Sequence, residues 1–271
     1  WMLVFFGFTN CPDVCPTAML EAQQWLSGRK NWRKKLKGVF TEADRPVWVH
    51  AASLGEMEAG LPIIEALRRD FPQRKILITF FSPSGFENFK EHHLADHVCY
   101  LPLDTPQNAR DFIDLVKPGL ALFIKYEIWV NYFKALQQNN IPLLLAPALF
   151  REKQIYFKKP AWQFFKPVFE GISQIMVQNE ASLKLLQNQG LNNVRLCGDT
   201  RFDRVLELTQ QPYPEEKFKT FLGSSFCLVG GSSWPPEEEI LHKALESRTD
   251  FKLILADFGP TLGRLWADFG P

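Results

Sequence analysis

From Val47 onward, short apolar runs rich in β-branched residues alternate with stretches of helical apolar spacing, and this alternation restricts the chain more than any other feature. Val47 to Val49 and Lys75 to Thr79 read as strands, with a helix from Glu56 to Arg69 between them. Further runs at Leu120 to Ile124, Pro142 to Ala146 and Ile172 to Val177 repeat the theme. Helical stretches from Thr105 to Val116, Trp129 to Gln138 and Glu180 to Gln189 separate them. Consecutive strands joined through helices cannot pair as hairpins, so the expected fold class is α/β, a parallel sheet with helices on both faces.

A second unit of the same kind is expected after the polar stretch 210–214, which holds two prolines. Phe226 to Val229 and Phe251 to Leu255 read as strands, and Pro235 to Glu246 as a helix with Glu237, Glu238 and Glu239 at its positive end. Ala256-Asp257-Phe258-Gly259-Pro260 then recurs as Ala267-Asp268-Phe269-Gly270-Pro271, and its Gly-Pro pairs interrupt the pattern.

Charge and cysteine content exclude several classes. The 31 Lys and Arg against 30 Asp and Glu leave a net charge of +1, so no global field draws nucleic acid. Five scattered cysteines do not form a secreted disulfide framework, which favours a cytoplasmic setting. The apolar opening from Trp1 to Phe8 is far shorter than the roughly 20 residues that cross a bilayer, and it has no signal-peptide pattern. Arg29, Lys30, Arg33, Lys34, Lys35 and Lys37 around Trp32 form a basic stretch. It reads first as a solvated helix face or linker, and secondly as a contact with an anionic membrane surface.

The chemistry-bearing segment is Trp48-Val49-His50-Ala51-Ala52-Ser53-Leu54-Gly55-Glu56. A strand ending in small residues and followed by a helix start puts Glu56 where open α/β sheets bind ligands. A carboxylate there can accept a proton from a hydroxyl, or simply cap the helix, and on spacing alone capping comes first. His93 and His97 are four apart and could share a helix face as metal ligands, but no further ligands complete the set, so His92, His93 and His97 are read as surface residues.

Ala52-Ser53-Leu54-Gly55-Glu56 is followed in order by Thr79-Phe80-Phe81-Ser82-Pro83-Ser84-Gly85, Leu101-Pro102-Leu103-Asp104, Tyr126-Glu127-Ile128-Trp129, Gly198-Asp199-Thr200-Arg201-Phe202-Asp203 and Gly231-Ser232-Ser233-Trp234-Pro235. These strings resemble the Kdo transferase family, which adds an acidic eight-carbon sugar to a lipid A precursor. The resemblance implies a GT-B fold of two Rossmann-like domains, the first for the lipid acceptor and the second for the CMP-Kdo donor. It also implies inverting transfer with no obligatory metal or cofactor, at the cytoplasmic face of the bacterial inner membrane. Glu56 would be the general base. Ser53, Gly55, Glu127, Arg151 and Arg201 would contact substrate, with Ser232 and Ser233 holding the donor phosphate. Many family members read Asn-Ala-Arg-Leu near Pro147 to Arg151, so Arg151 is a shifted counterpart.

The family's later donor-domain segments, Ala-Pro-His-Glu and an Asn-Glu pair, have no counterpart after Leu255. Val4 to Thr17, with Cys11 and Cys15 at C-x3-C spacing, resembles instead the copper site of Sco/SenC chaperones. The expected organisation is therefore a Sco-like segment at 1–26, a basic linker at 27–45, an acceptor domain at 46–208, a linker at 209–217, the start of a donor domain at 218–255 and an unrelated tail at 256–271. Such a chain would lack transfer as given. The alternatives are a non-catalytic lipid or membrane-surface binding module, or copper binding through Cys11 and Cys15.

Overall fold

The structure is a computed structural model describing residues 30–125, 127–210, 215–231, 235–246, 248 and 250–256. Its contacts group the residues up to Leu208 into one unit and those from Thr209 into another.

The first unit holds a seven-stranded sheet. Its strands are β1 (Val47–Ala51), β2 (Ile76–Phe80), β3 (His97–Tyr100), β4 (Leu120–Phe123), β5 (Leu143–Ala148), β6 (Gln174–Val177) and β7 (Val194–Leu196). Every pairing is parallel, in the order β3-β2-β1-β4-β5-β6-β7. The helices are α1 (Trp32–Leu36), α2 (Leu54–Asp70), α3 (Pro83–Phe89), α4 (Pro106–Val116), α5 (Val130–Gln138), α6 (Ala161–Glu170), α7 (Glu180–Asn188) and α8 (Arg201–Gln210). A 3-10 turn covers Ile155–Phe157.

All five residues of β1 and of β2 are buried, as expected of strands covered on both faces. Successive side chains of β1 go to opposite layers: Trp48 joins one apolar cluster, while Val47, Val49 and Ala51 join the other. The Trp48 ring lies 4.7 Å from Phe112, 5.0 Å from Phe123 and 5.7 Å from Tyr132, and its indole N–H donates to Thr79 Oγ1 at 2.8 Å. A tryptophan can be this deep because its one polar atom has a partner.

Two of the matched motifs have local structural work. Asp104 accepts from the backbone N–H groups of Asn131 (3.1 Å) and Tyr132 (3.2 Å), satisfying the first turn of α5. In the stretch from Thr79 to Gly85, a Cβ on Gly85 would lie 2.1 Å from the Phe80 ring, so only glycine fits.

Three sequence readings change. Trp32 is 8% exposed and, with Leu36 and Phe40, belongs to the core, while Arg33 bonds Asp111 at 2.6 Å and Asn108 at 2.9 Å. The tryptophan of the basic stretch is therefore not available to a membrane interface. His97 opens β3 and is partly buried, so it is not the surface residue expected, whereas His93 is exposed. His92 is not simply a surface residue either, because it stacks on Phe89 at 4.5 Å.

In the second unit, α9 (Glu215–Leu222) precedes β8 (Phe226–Gly231), α10 (Pro235–Leu245) and β9 (Phe251–Ala256). β8 and β9 pair in parallel, with Phe226 opposite Phe251. Ser232, Ser233, Cys11 and Cys15 lie outside the described residues, as do the Asp-Phe-Gly-Pro repeats. Among the described residues no helix is long and apolar enough to cross a membrane.

Candidate active site at the carboxyl edge of the sheet

Strand order determines where a ligand can sit. The chain runs outward from β1 to β3 on one side and from β4 to β7 on the other, so the helices after β1 and β4 diverge and leave a crevice between the carboxyl ends of these neighbours. Ser53, Gly55 and Glu56 follow β1, and Lys125 and Glu127 follow β4.

Glu56 stands in the first turn of α2 and is 9% exposed. Its Oε2 accepts the N–H of Ala52, the residue before the N-cap, at 2.8 Å, which ties the first turn of the helix to the end of β1. Burial pushes its carboxyl above the ordinary glutamate value. The Ala52 bond opposes the rise, the nearby Glu127 charge adds to it, and Lys125 pulls it down. A carboxylate that is buried yet open to tuning by a cation is suited to accepting a proton nearer neutral pH. Ser53 is the N-cap residue, but its hydroxyl does not cap the helix. A Cβ on Gly55 would meet nothing within 4 Å, so this glycine leaves the turn uncovered rather than relieving a clash.

Glu127 is held by a hydrogen bond and faces a buried imidazole. Trp129 donates its indole N–H to Glu127 Oε2 at 3.0 Å, and His50 Nε2 lies 3.8 Å from the same oxygen. His50 is 1% exposed, is fixed through Nδ1 by Thr79 Oγ1 at 2.9 Å, and packs edge-on against Trp129 at 5.0 Å. His50 thus places its Nε2 near Glu127 without a hydrogen bond to it.

The motif after β7 reaches the same edge. Gly198 adopts φ +86°, a left-handed turn that glycine accommodates without strain. Arg201 then makes a two-pronged ion pair with Asp199, whose shortest contact is 2.6 Å and which holds the aspartate below the usual carboxylate range. Thr200 Oγ1 donates to the Ala59 carbonyl of α2, tying this motif to the helix that carries Glu56.

Lys125, Leu149, Arg151, Gln154, Gln178 and Arg201 enclose a pocket of about 300 Å³. Three cations converge there from the segments after β4, β5 and β7, and Asp199 is engaged by one of them. Such a donor set suits a phosphate or carboxylate. Lys125 has φ +65°, an uncommon backbone state for a side chain of its length, of the kind that clusters at binding sites. Lys125 lines the pocket, and its charge pulls down the pKa of both carboxyls, Glu56 and Asp199.

The structure therefore brings Ser53, Gly55, Glu56 and Glu127 to one crevice, and Arg151 and Arg201 to one adjoining pocket. Sequence reasoning assigned no role to His50 or Lys125. A histidine within an otherwise apolar strand, and a lysine two residues before Glu127, were the available signals. No group of three His, Cys, Asp or Glu side chains able to hold a metal occurs among the described residues.

The 3-deoxy-D-manno-octulosonic-acid transferase (kdotransferase) family profile matches residues 30–204, and the SCO1/SenC profile matches residues 1–45. Residues 30–45 fall within both. Curated relatives include the 3-deoxy-D-manno-octulosonic acid transferase of Haemophilus influenzae, 30% identical over 73% of this chain and 49% of that protein. That of Rickettsia bellii is 28% identical over 72% of this chain and 46% of that protein. The chain thus spans about half the length of these relatives. Among solved structures, the UDP-GlcNAc 2-epimerase from Neisseria meningitidis matches with a TM-score of 0.51 at 16% identity, over 78% of this chain and 64% of that one. S. aureus MnaA, solved with UDP, matches with a TM-score of 0.52 at 14% identity, over 78% and 62%. At such identities the likeness shows the fold alone, a Rossmann-like α/β unit of the GT-B type.

Proposed function

The chain belongs to the Kdo transferase family, and from that premise we propose that its first unit is the acceptor half of an inverting glycosyltransferase of lipopolysaccharide synthesis. The acceptor is a lipid A precursor, and the donor is CMP-Kdo. Glu56 takes the proton of the acceptor hydroxyl as that oxygen bonds to the anomeric carbon of Kdo. The bond from that carbon to the CMP phosphate breaks, and CMP leaves with the electron pair. Lys125, Arg151 and Arg201 bind an anionic group of the acceptor, which holds its hydroxyl beside Glu56. Ser53 and Gly55 keep the approach open, while Glu127, fixed by Trp129, sets the charge around the base. Ser232 and Ser233 serve the donor phosphate, and the protein works peripherally at the cytoplasmic face of the inner membrane.

One observation carries this reading: a buried carboxylate at the switch point of the sheet, next to a pocket in which three cations converge. The test is CMP release from CMP-Kdo, read in the chain as it stands and in the chain joined to the remaining part of the Haemophilus influenzae relative. In whichever form turns over, Glu56→Gln lowers release by at least about 10²-fold and leaves acceptor binding within about twofold. Release that survives Glu56→Gln removes the base assignment.

The SCO1/SenC match supports a second reading, in which Cys11 and Cys15 bind Cu(I). Stoichiometric Cu(I) uptake abolished by Cys11→Ser would establish it, and uptake indifferent to that change would dismiss it.

A further inference from the structure

The surface outside the anion pocket has an unusual make-up. Residues 151–170 carry five cations, Arg151, Lys153, Lys158, Lys159 and Lys166, against two anions, Glu152 and Glu170. The 3-10 turn Ile155–Phe157 packs on α6 through an inner layer of rings: Tyr156 lies 5.0 Å from Phe165, and Phe157 lies 5.8 Å from Trp162. These inner rings pack against the core and hold the two elements together. Ile155 and Phe164 are 64% and 56% exposed, large values for apolar side chains. Lys134 of α5 places its ammonium 5.3 Å from the centre of the Phe164 ring. Lys166 is 3.7 Å from Glu170, whereas Lys153, Lys158 and Lys159 make no ion pair among the described residues.

We infer that this turn and α6 form the surface that seats the protein on an anionic lipid bilayer. Ile155 and Phe164 enter the interface, and Lys153, Lys158 and Lys159 pair with headgroup charge. Two features on the surface favour a bilayer. Exposed apolar side chains interleaved with unpaired lysines match a plane that is apolar below and anionic at its face. A second copy of the chain would bring the same cations against each other and be repelled. The surface also begins at Arg151 and Gln154, which line the anion pocket, so a lipid held in that bilayer presents its phosphorylated head directly to the pocket. The basic stretch around α1 is a poorer candidate because its tryptophan is buried and Arg33 is engaged by Asp111.

The test is co-sedimentation with phosphatidylcholine vesicles, with and without about 30% phosphatidylglycerol. The protein should bind the anionic vesicles and not the neutral ones. The double variant Ile155→Ser with Phe164→Ser and the triple variant Lys153→Glu, Lys158→Glu, Lys159→Glu should each weaken binding by at least about tenfold, because each removes one of the two contributions. Lys34→Glu with Lys35→Glu should stay within about twofold. Should the apolar double variant misfold, judged by circular dichroism, the triple lysine variant decides. No binding to anionic vesicles, equal binding to neutral ones, loss of binding only in the α1 variant, or vesicle-free self-association lost in the surface variants would each overturn the inference. Vesicle binding is read without any transfer, so its failure leaves the Glu56 assignment standing. The surface has its use only under the reading that the acceptor is a lipid.

Discussion

The two edges of the central sheet are built from the same strands and differ in almost everything else. At the amino edge, Arg45, Val47, Leu67, Phe71, Arg74, Ile76, Gly119 and Leu120 line a hollow of about 390 Å³, larger than the anion pocket of about 300 Å³ at the carboxyl edge. Its walls are mostly apolar and no carboxylate lines it. The carboxyl edge has a buried Glu56, a Glu127 held by Trp129, and three cations that follow separate strands. Size therefore does not locate the site, whereas convergence of polar groups does. The carboxyl edge gathers them because the diverging loops at a switch point open there.

The largest contrast should come from exchanging damage between the edges. In an active form, Glu56→Gln should lower CMP release by about 10²- to 10⁴-fold, while Arg74→Ala at the amino edge should change it by less than about twofold. The reverse result would place the chemistry in the wrong hollow.

Next in size, Arg151→Ala should weaken binding of a phosphorylated acceptor by about tenfold, the loss of one charge-assisted contact. Its remaining affinity should also depend less steeply on salt. Titration of the acceptor at two ionic strengths measures both. Unchanged affinity would remove Arg151 from the pocket.

A pH profile of kcat sharpens the electrostatic part. Glu56 must be ionised to act, so activity rises as pH passes its raised pKa. Lys125→Met removes a charge that lowers that pKa, so the acid limb should move to higher pH. Glu127→Gln removes one that raises it, so the limb should move to lower pH. Shifts in the same direction for both variants would show that these charges do not act on the base.

The smallest effect concerns stability. A carboxyl whose folded pKa lies above its ordinary value near 4.5 favours the fold when protonated; that contribution is complete below 4.5 and lost as pH rises through the folded value. Glu56→Gln keeps an acceptor for the Ala52 N–H without the buried charge. It should therefore raise Tm at pH 7 by up to about 2–4 °C, what ~1 kcal/mol does in a unit of this size. The gain should shrink as pH falls towards 4.5. A gain that grows on acidification would contradict the burial of Glu56.

The strands that the sequence announced are those with mainly apolar character, β1, β2, β4, β5 and β6 of the central sheet and β8 and β9 of the second unit. The two it did not announce, β3 and β7, lie at the outer edges of the sheet and are only partly buried, so His97 and Arg195 are tolerated there and the apolar runs are short. α1 was hidden for a related reason. Its exposed lysines dominate the composition, and Trp32 and Leu36 alone reach the core.

The alternation of strands and helices determined a parallel α/β unit, and the step from β1 into α2 determined that Glu56 begins a helix at a strand's carboxyl end. Both are local properties, written in spacing and in the small residues between Ala51 and Gly55. That β4 lies beside β1 is not local. Only the tertiary structure brought Lys125 and Glu127 within range of Glu56, set His50 beneath Glu127, and gathered Arg151 and Arg201 around one pocket. The physical reason is that strand order follows from how the whole set of helices buries its apolar faces, and no short window of sequence carries that information.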